Sequence, residues 1–265
     1  MTETSANPVP SGPKPFRYAG HGANAGTGIA LCHGFTGSPL SIMPWAEHLA
    51  SLGFAVTVPL LPGHGTHWKD LARTSWKDWY GTFEDSYLEL AAGTSRCFVA
   101  GLSMGGAVAL RTAARHPVAG VAVVNPGLSF YDRRVRYIAA LKHVMRTTVP
   151  VQEENPTAPH TDDGDYSLTP LAAVHELKKL FRSTYRALPA LTAPALVFKS
   201  AEDAVVPPSS VEMVRKRIGS REFTVRPLPH SGHVATLDVD APLIFEESAA
   251  FFLRHAADRV ASESS

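Results

Sequence analysis

The 265-residue sequence predicts an α/β protein with a mostly parallel central sheet flanked by helices and a small helical cap insertion. Short apolar runs of strand length alternate with segments whose apolar residues recur at helical spacing, the pattern of a parallel sheet covered on both faces. Each stretch with chemical potential follows one of those strands, and open α/β sheets gather their ligands beyond the strands' carboxyl ends. The alternation lapses between 128 and 190, so that stretch reads as an insertion over the strand ends. The expected division is a flexible tail at 1–14, a core at 15–127 and 191–258, and a cap at 128–190.

The tail is rich in Pro, Ser and Thr. Gly26 to Cys32 is a strand that ends in a glycine-dense turn, His33-Gly34-Phe35-Thr36-Gly37-Ser38. Ser41 to Leu52 places Ile42, Trp45, Leu49 and Leu52 on one helical stripe and stops at Gly53. Phe54 to Pro59 is the next strand and runs into Leu61-Pro62-Gly63-His64-Gly65. Trp76 to Ala92 is a helix whose stripe of Trp76, Trp79, Tyr80, Phe83 and Tyr87 reads as core packing. The strand Cys97–Ala100 enters Gly101-Leu102-Ser103-Met104-Gly105-Gly106, and Ala107 to Arg115 leaves it as a helix ending at His116-Pro117. Val118 to Val124 is a strand closed by the turn Asn125-Pro126-Gly127. The inserted stretch offers a basic helical segment (Tyr131 to Met145), a polar loop (Pro150 to Asp165) and a second helix (Leu171 to Tyr185). Alternation resumes with the strand Ala195–Ser200, a helix from Ser209 to Ile218, a strand from Glu222 to Arg226 and a helix from Pro242 to His255.

Composition narrows the class. Hydrophobic residues make up 45% and charged ones 18%, ordinary for a globular protein, and the formal net charge is +1. Such a balance gives no general pull toward nucleic acid or an anionic membrane, and Arg133-Arg134-Val135-Arg136 reads as a solvated helix face. Cys32 and Cys97 lie in strands without zinc-type spacing, so both are expected as buried free thiols in a reducing compartment. The first residues lack signal-peptide character, and apolar runs such as Val118 to Val124 are too short for a bilayer. The expectation is a cytoplasmic protein with no integral membrane segment. No Walker lysine or spaced G-x-G-x-x-G follows the first strand, which argues against a phosphate-binding loop.

The chemistry is read outward from Ser103. A serine on a sharp strand-to-helix turn needs glycines two positions away on each side, and Gly101 and Gly105 supply them. Its hydroxyl is a poor nucleophile until a base takes the proton, and that base needs an acid to fix its tautomer. On this architecture the order along the chain is Ser, Asp/Glu, His. Asp203, in a loop just after a strand, is the acid candidate, with its neighbour Glu202 ranked second. His233 is the base candidate, and His230 reads as structural. The N–H of Met104 is the first expected oxyanion donor and that of Phe35 the second. His33 and His64 read as buttresses of their loops.

These residues resemble a known family. His33-Gly34-Phe35-Thr36-Gly37, Pro62-Gly63-His64-Gly65, the Gly101–Gly106 turn and Ser231-Gly232-His233-Val234-Ala235-Thr236-Leu237-Asp238 are similar to bacterial carboxylesterases and monoacylglycerol lipases of the α/β-hydrolase superfamily. The resemblance implies a serine esterase without metal or cofactor, acting on short- to medium-chain esters, monoacylglycerols included. The pocket is expected to be lined by Phe35, Met104 and those of Leu128, Phe130, Ile138 and Leu141 that face inward. A cofactor-free peroxidase, a C–C hydrolase or a non-catalytic ligand binder would be compatible with the same fold.

Overall fold

Strands that are apolar at every position need a covering layer on both faces, and the computed structural model, which describes residues 13–142, 145–148 and 168–263, supplies two. The seven-stranded sheet is built from β1 (Phe16–Tyr18), β2 (Thr27–Cys32), β3 (Ala55–Val58), β4 (Arg96–Leu102), β5 (Val121–Val124), β8 (Ala195–Ser200) and β9 (Phe223–Leu228). Their order across the sheet is β1-β3-β2-β4-β5-β8-β9, all parallel except β1, which runs antiparallel to β3. Every residue of β2, β3 and β5 is buried.

The period-two alternation of the strands sorts their side chains between two apolar layers. Ile29, Leu31, Phe98, Ala100, Ala122, Val124, Leu196 and Phe198 meet α1 (Met43–Ser51) and α8 (Ala241–Glu263). Ala30, Cys32, Val99, Val121, Val123 and Val197 face the other way, toward α3 (Trp76–Ala92) and α4 (Met104–Ala113). The start of α3 is fixed locally: the Asp78 carboxylate accepts the Ser75 N–H at 2.7 Å. Its Trp79, Tyr80, Phe83 and Tyr87 are buried core residues, while Trp76 is half-buried. Cys32 and Cys97 are buried free thiols.

Several expectations are corrected. The edge strand β1 escaped the sequence reading because three residues carry too little periodicity. A one-turn helix, α2 (Trp68–Leu71), was also missed. Leu52 lies beyond the end of α1 and is exposed, and Ala46 takes its place on the buried stripe. The basic segment forms a 3-10 turn at Arg133–Tyr137 and only a short α5 (Ile138–Leu141), because none of Arg133–Tyr137 is buried. Thr147–Thr148 (β6) and Thr169–Pro170 (β7) pair as a two-stranded ladder where no strand was expected. The helix α6 (Leu171–Ala187) was expected to belong to the cap. Its Ala173, Leu177, Leu180 and Phe181 join the main apolar layer, and the Thr184 hydroxyl donates to the Ala107 carbonyl at 3.1 Å. The helix α7 (Ser209–Arg215) ends sooner than expected. The loop at 150–165, most of the tail and residues 143–144 lie outside the described residues.

The N-terminus of α4 leans on the end of β2. A Cβ on Gly105 would sit 2.0 Å from the Cys32 carbonyl oxygen and 2.6 Å from that of His33. Gly105→Ala is therefore expected to abolish the soluble fold or lower its melting temperature by more than ten degrees. Gly81, on α3, has nothing within 4 Å of its hypothetical Cβ, so Gly81→Ala should gain up to about 1 kcal/mol from helix propensity. Thermal melting of the two variants, showing opposite signs, checks this account.

Candidate active site

β4 ends at Leu102 and α4 begins at Met104, which leaves Ser103 alone to make the turn. It does so at φ 57° and ψ −116°, a conformation that costs of order 1–3 kcal/mol and persists only where neighbours enforce it. The enforcement is visible. The Ser103 N–H donates to the Val124 carbonyl at 2.9 Å, and its own carbonyl accepts from Gly127 at 3.0 Å and Ala107 at 3.2 Å. A Cβ on Gly101 would lie 2.4 Å from the carbonyl carbon of Gly105, so the tight return of the chain excludes any side chain there.

The structure brings together the three residues that the sequence order singled out. His233 Nε2 lies 2.8 Å from Ser103 Oγ, and His233 Nδ1 lies 2.9 Å from Asp203 Oδ1. A ring that donates Nδ1–H to the carboxylate keeps Nε2 free to accept the serine proton. The Asp203 carboxylate is fully buried. Its Oδ1 also accepts the N–H groups of Val205 at 3.0 Å and Val206 at 2.8 Å, and Oδ2 takes the Lys199 ammonium. Burial pushes this carboxyl up, but the bonds from His233, Lys199 and the Val206 amide outweigh it and hold it at about 2. Glu202 points outward and is exposed, and so is His230, whose backbone N–H is bound by Asp240 Oδ2 at 2.9 Å.

The loop carrying His233 is laced from several sides. Asp238 Oδ2 accepts the Gly232 N–H at 2.8 Å, and Thr236 donates its hydroxyl to the Ser41 carbonyl at 2.6 Å. Asn125, which opens the turn after β5, is the hub. Its Nδ2 donates to the His233 carbonyl at 2.8 Å and to Ser200 Oγ at 2.9 Å, while Oδ1 accepts the Ser200 N–H at 2.9 Å. One buried amide thus ties the histidine loop to the strand that leads to Asp203. The signal in the sequence was an asparagine opening a turn, since asparagine tolerates the φ of 46° found here.

On the other side of Ser103 stands the loop after β2. A Cβ on Gly34 would lie 3.7 Å from Ser103 Cβ, so the two chains touch. The Phe35 N–H, next along, finds no acceptor among the described residues, and the Met104 N–H opens α4 ahead of its hydrogen-bond ladder. Phe35 packs on Trp79, with ring centroids 5.8 Å apart. The other pocket candidates diverge. Leu128 and Phe130 line an open groove of about 380 Å³ with Arg133, Arg136, Phe181 and Met213, and neither Ser103 nor His233 lines it. Ile138 is buried and Leu141 half-buried, and neither is among the residues that line that groove.

A hydroxyl held in this way on this sheet defines a class of enzyme, one that attacks an electrophilic carbon from a strand-to-helix turn. Residues 29–247 match the model of the alpha/beta hydrolase family, and the chain belongs to that family. It is 37% identical over 259 residues to the thermostable monoacylglycerol lipase of Bacillus sp. (strain H-257), covering 94% of this chain and 98% of the relative. The carboxylesterase of Bacillus subtilis (strain 168) is 24% identical over 236 residues, 89% of this chain and 94% of the relative. Among solved structures, one described with LipS and LipT, two metagenome-derived lipolytic enzymes, superposes with a TM-score of 0.85 at 33% identity, covering 91% of this chain and 98% of that one. No helix among the described residues is long and apolar enough to cross a membrane.

Beneath the Phe35 loop two imidazoles are buried side by side, with centroids 5.1 Å apart. His33 Nδ1 donates to the Gly34 carbonyl at 2.9 Å and Nε2 accepts the Leu61 N–H at 3.2 Å, which locks the ring neutral. Burial pushes His33 down to about 4 and, with His33 alongside, His64 down to about 3. Between pH 6.5 and 4 the unfolded chain therefore binds up to two protons that the native chain refuses. Stability is complete above 6.5 and falls with pH below it, with a slope approaching about 2.7 kcal/mol per pH unit. Urea unfolding at pH 7.5, 6 and 5 measures the slope; a flat profile would contradict the buried neutral rings.

Proposed function

We propose that this chain is a serine carboxylic ester hydrolase that works through an acyl-enzyme and accepts monoacylglycerols. The observation that carries the reading is the continuous chain of contacts from Ser103 Oγ to His233 Nε2, and from His233 Nδ1 to the buried Asp203. Ser103 Oγ attacks the ester carbonyl carbon as His233 takes its proton, and the charge on the former carbonyl oxygen is met by the N–H groups of Phe35 and Met104. The imidazolium then gives its proton to the departing alcohol, and water, deprotonated by the same imidazole, releases the acid. Each group these steps call on is a side chain or backbone amide of the chain itself, so we assign no metal and no cofactor.

The relatives support the substrate class. One is a monoacylglycerol lipase and another a carboxylesterase. We assign Phe35, whose loop lies against Ser103, to the acyl side of the pocket, and Leu128, Phe130, Ile138 and Leu141 to the wall and roof formed by the first part of the expected cap. A roof this small leaves room for short to medium acyl chains. The buried free thiols of Cys32 and Cys97 support a reducing compartment, and we place the protein in the cytoplasm.

Two experiments test the proposal. A fluorophosphonate should label Ser103 alone, Ser103→Ala should lose roughly 10³-fold or more in kcat, and Asp203→Asn should approach that loss while Glu202→Gln stays within about twofold. Labelling at another residue, or an active Ser103→Ala protein, would refute the mechanism. For the substrate, kcat/KM should climb with acyl length at up to about 0.8 kcal/mol per methylene, then level off at medium chains, with monoolein turned over and triolein hardly at all. Brisk triolein hydrolysis would instead indicate a lipase with a broad interfacial site.

A further inference from the structure

Lys199 stands on β8 four residues before Asp203 with its side chain only 13% exposed. Its ammonium donates to Asp203 Oδ2 and, at 2.9 Å, to the Val206 carbonyl. Burying an ammonium is costly unless it is paired, so this lysine is held inward by those two oxygens. The mechanism above has no use for it. Asp203 Oδ1 already receives two backbone amides besides the imidazole. What the ammonium adds is a second anchor and a second claim on one carboxylate charge.

Both have consequences for the reaction. Tied at Oδ2, the carboxylate cannot rotate, and Oδ1 alone is presented to His233. When His233 takes the serine proton it becomes a second cation on the same carboxylate, and a carboxylate shared with an ammonium stabilises that imidazolium less. We propose that Lys199 is a positioning residue for Asp203 that, by sharing the carboxylate charge, keeps the Ser103–His233 pair working at lower pH than an unshared acid would allow. The inference rests on the serine-hydrolase reading.

The charged surroundings of that carboxylate are few. From β8 comes Lys199, and from the loop after β9 comes His233. From the segment after β5, Tyr131 donates its hydroxyl to the Asp203 backbone carbonyl at 3.1 Å. Glu202 is adjacent but exposed. Among the described residues no other charged side chain contacts the carboxylate.

The test uses Lys199→Met, Lys199→Gln and Lys199→Arg in the full chain, with kcat/KM for a p-nitrophenyl ester and the rate of fluorophosphonate labelling of Ser103 both followed against pH. Lys199→Met and Lys199→Gln should move the acid limb of both profiles upward by about half to one pH unit, lower kcat about three- to tenfold and leave KM within about twofold. Lys199→Arg, which keeps the charge, should leave the limb near its original place. The glutamine variant serves if the methionine variant does not fold. An acid limb unmoved in a folded Met or Gln variant, or moved as far by Arg as by Met, overturns the role of Lys199 while leaving the hydrolase reading intact. A wild-type protein that neither hydrolyses the ester nor is labelled at Ser103 overturns both.

Discussion

The backbone at the start of α4 meets the carbonyl oxygens of Cys32 and His33 so closely that a single methyl group at Gly105 would lie 2.0 Å from one of them. Three features depend on that contact. It sets β2 against β4 at the middle of the sheet. It forces the chain to turn within one residue, so Ser103 takes a left-handed conformation that it would not adopt alone. It also brings the loop after β2 up against the serine. A less crowded junction would relax the serine and let that loop draw away from it.

Strain of this kind survives only when the surroundings over-determine it. Here the surroundings are buried and polar. Asn125, itself at positive φ, satisfies backbone groups of two loops with one amide, and Asp238, Thr236 and Ser231 fasten the histidine loop to itself and to Ser41. Because Asn125, Thr236 and Ser231 are out of water, losing one of their partners would leave another group unsatisfied, at about 1–3 kcal/mol. The network therefore contributes to stability as well as to geometry, and the two roles cannot be separated by deleting its members.

Much of this was legible in the sequence, for identifiable reasons. The strands of the sheet announce themselves because burial on both faces demands unbroken apolar runs. The turn at Ser103 shows because only glycine fits at Gly101 and Gly105. Asp203 and His233 show because strand-end loops in a fixed order leave few alternatives. Lys199 and Asn125 did not show: their roles depend on which strands are neighbours and on how far a side chain reaches across them. That α6 packs on the main apolar layer did not show either, because an amphipathic stripe says that one face is buried, not what buries it.

The sheet has two edges, and both end in ways that bear on its encounters with other molecules. β1 is three residues long and runs against the direction of its neighbour, with Arg17 paired outward to Glu89. At the far side β9 carries Arg226, paired with Glu247, and Pro227, which has no N–H to offer. A passing strand from another molecule would find short or charged borders with a missing donor. Such borders discourage edge-to-edge aggregation of a sheet whose inner strands β2, β3 and β5 are fully buried.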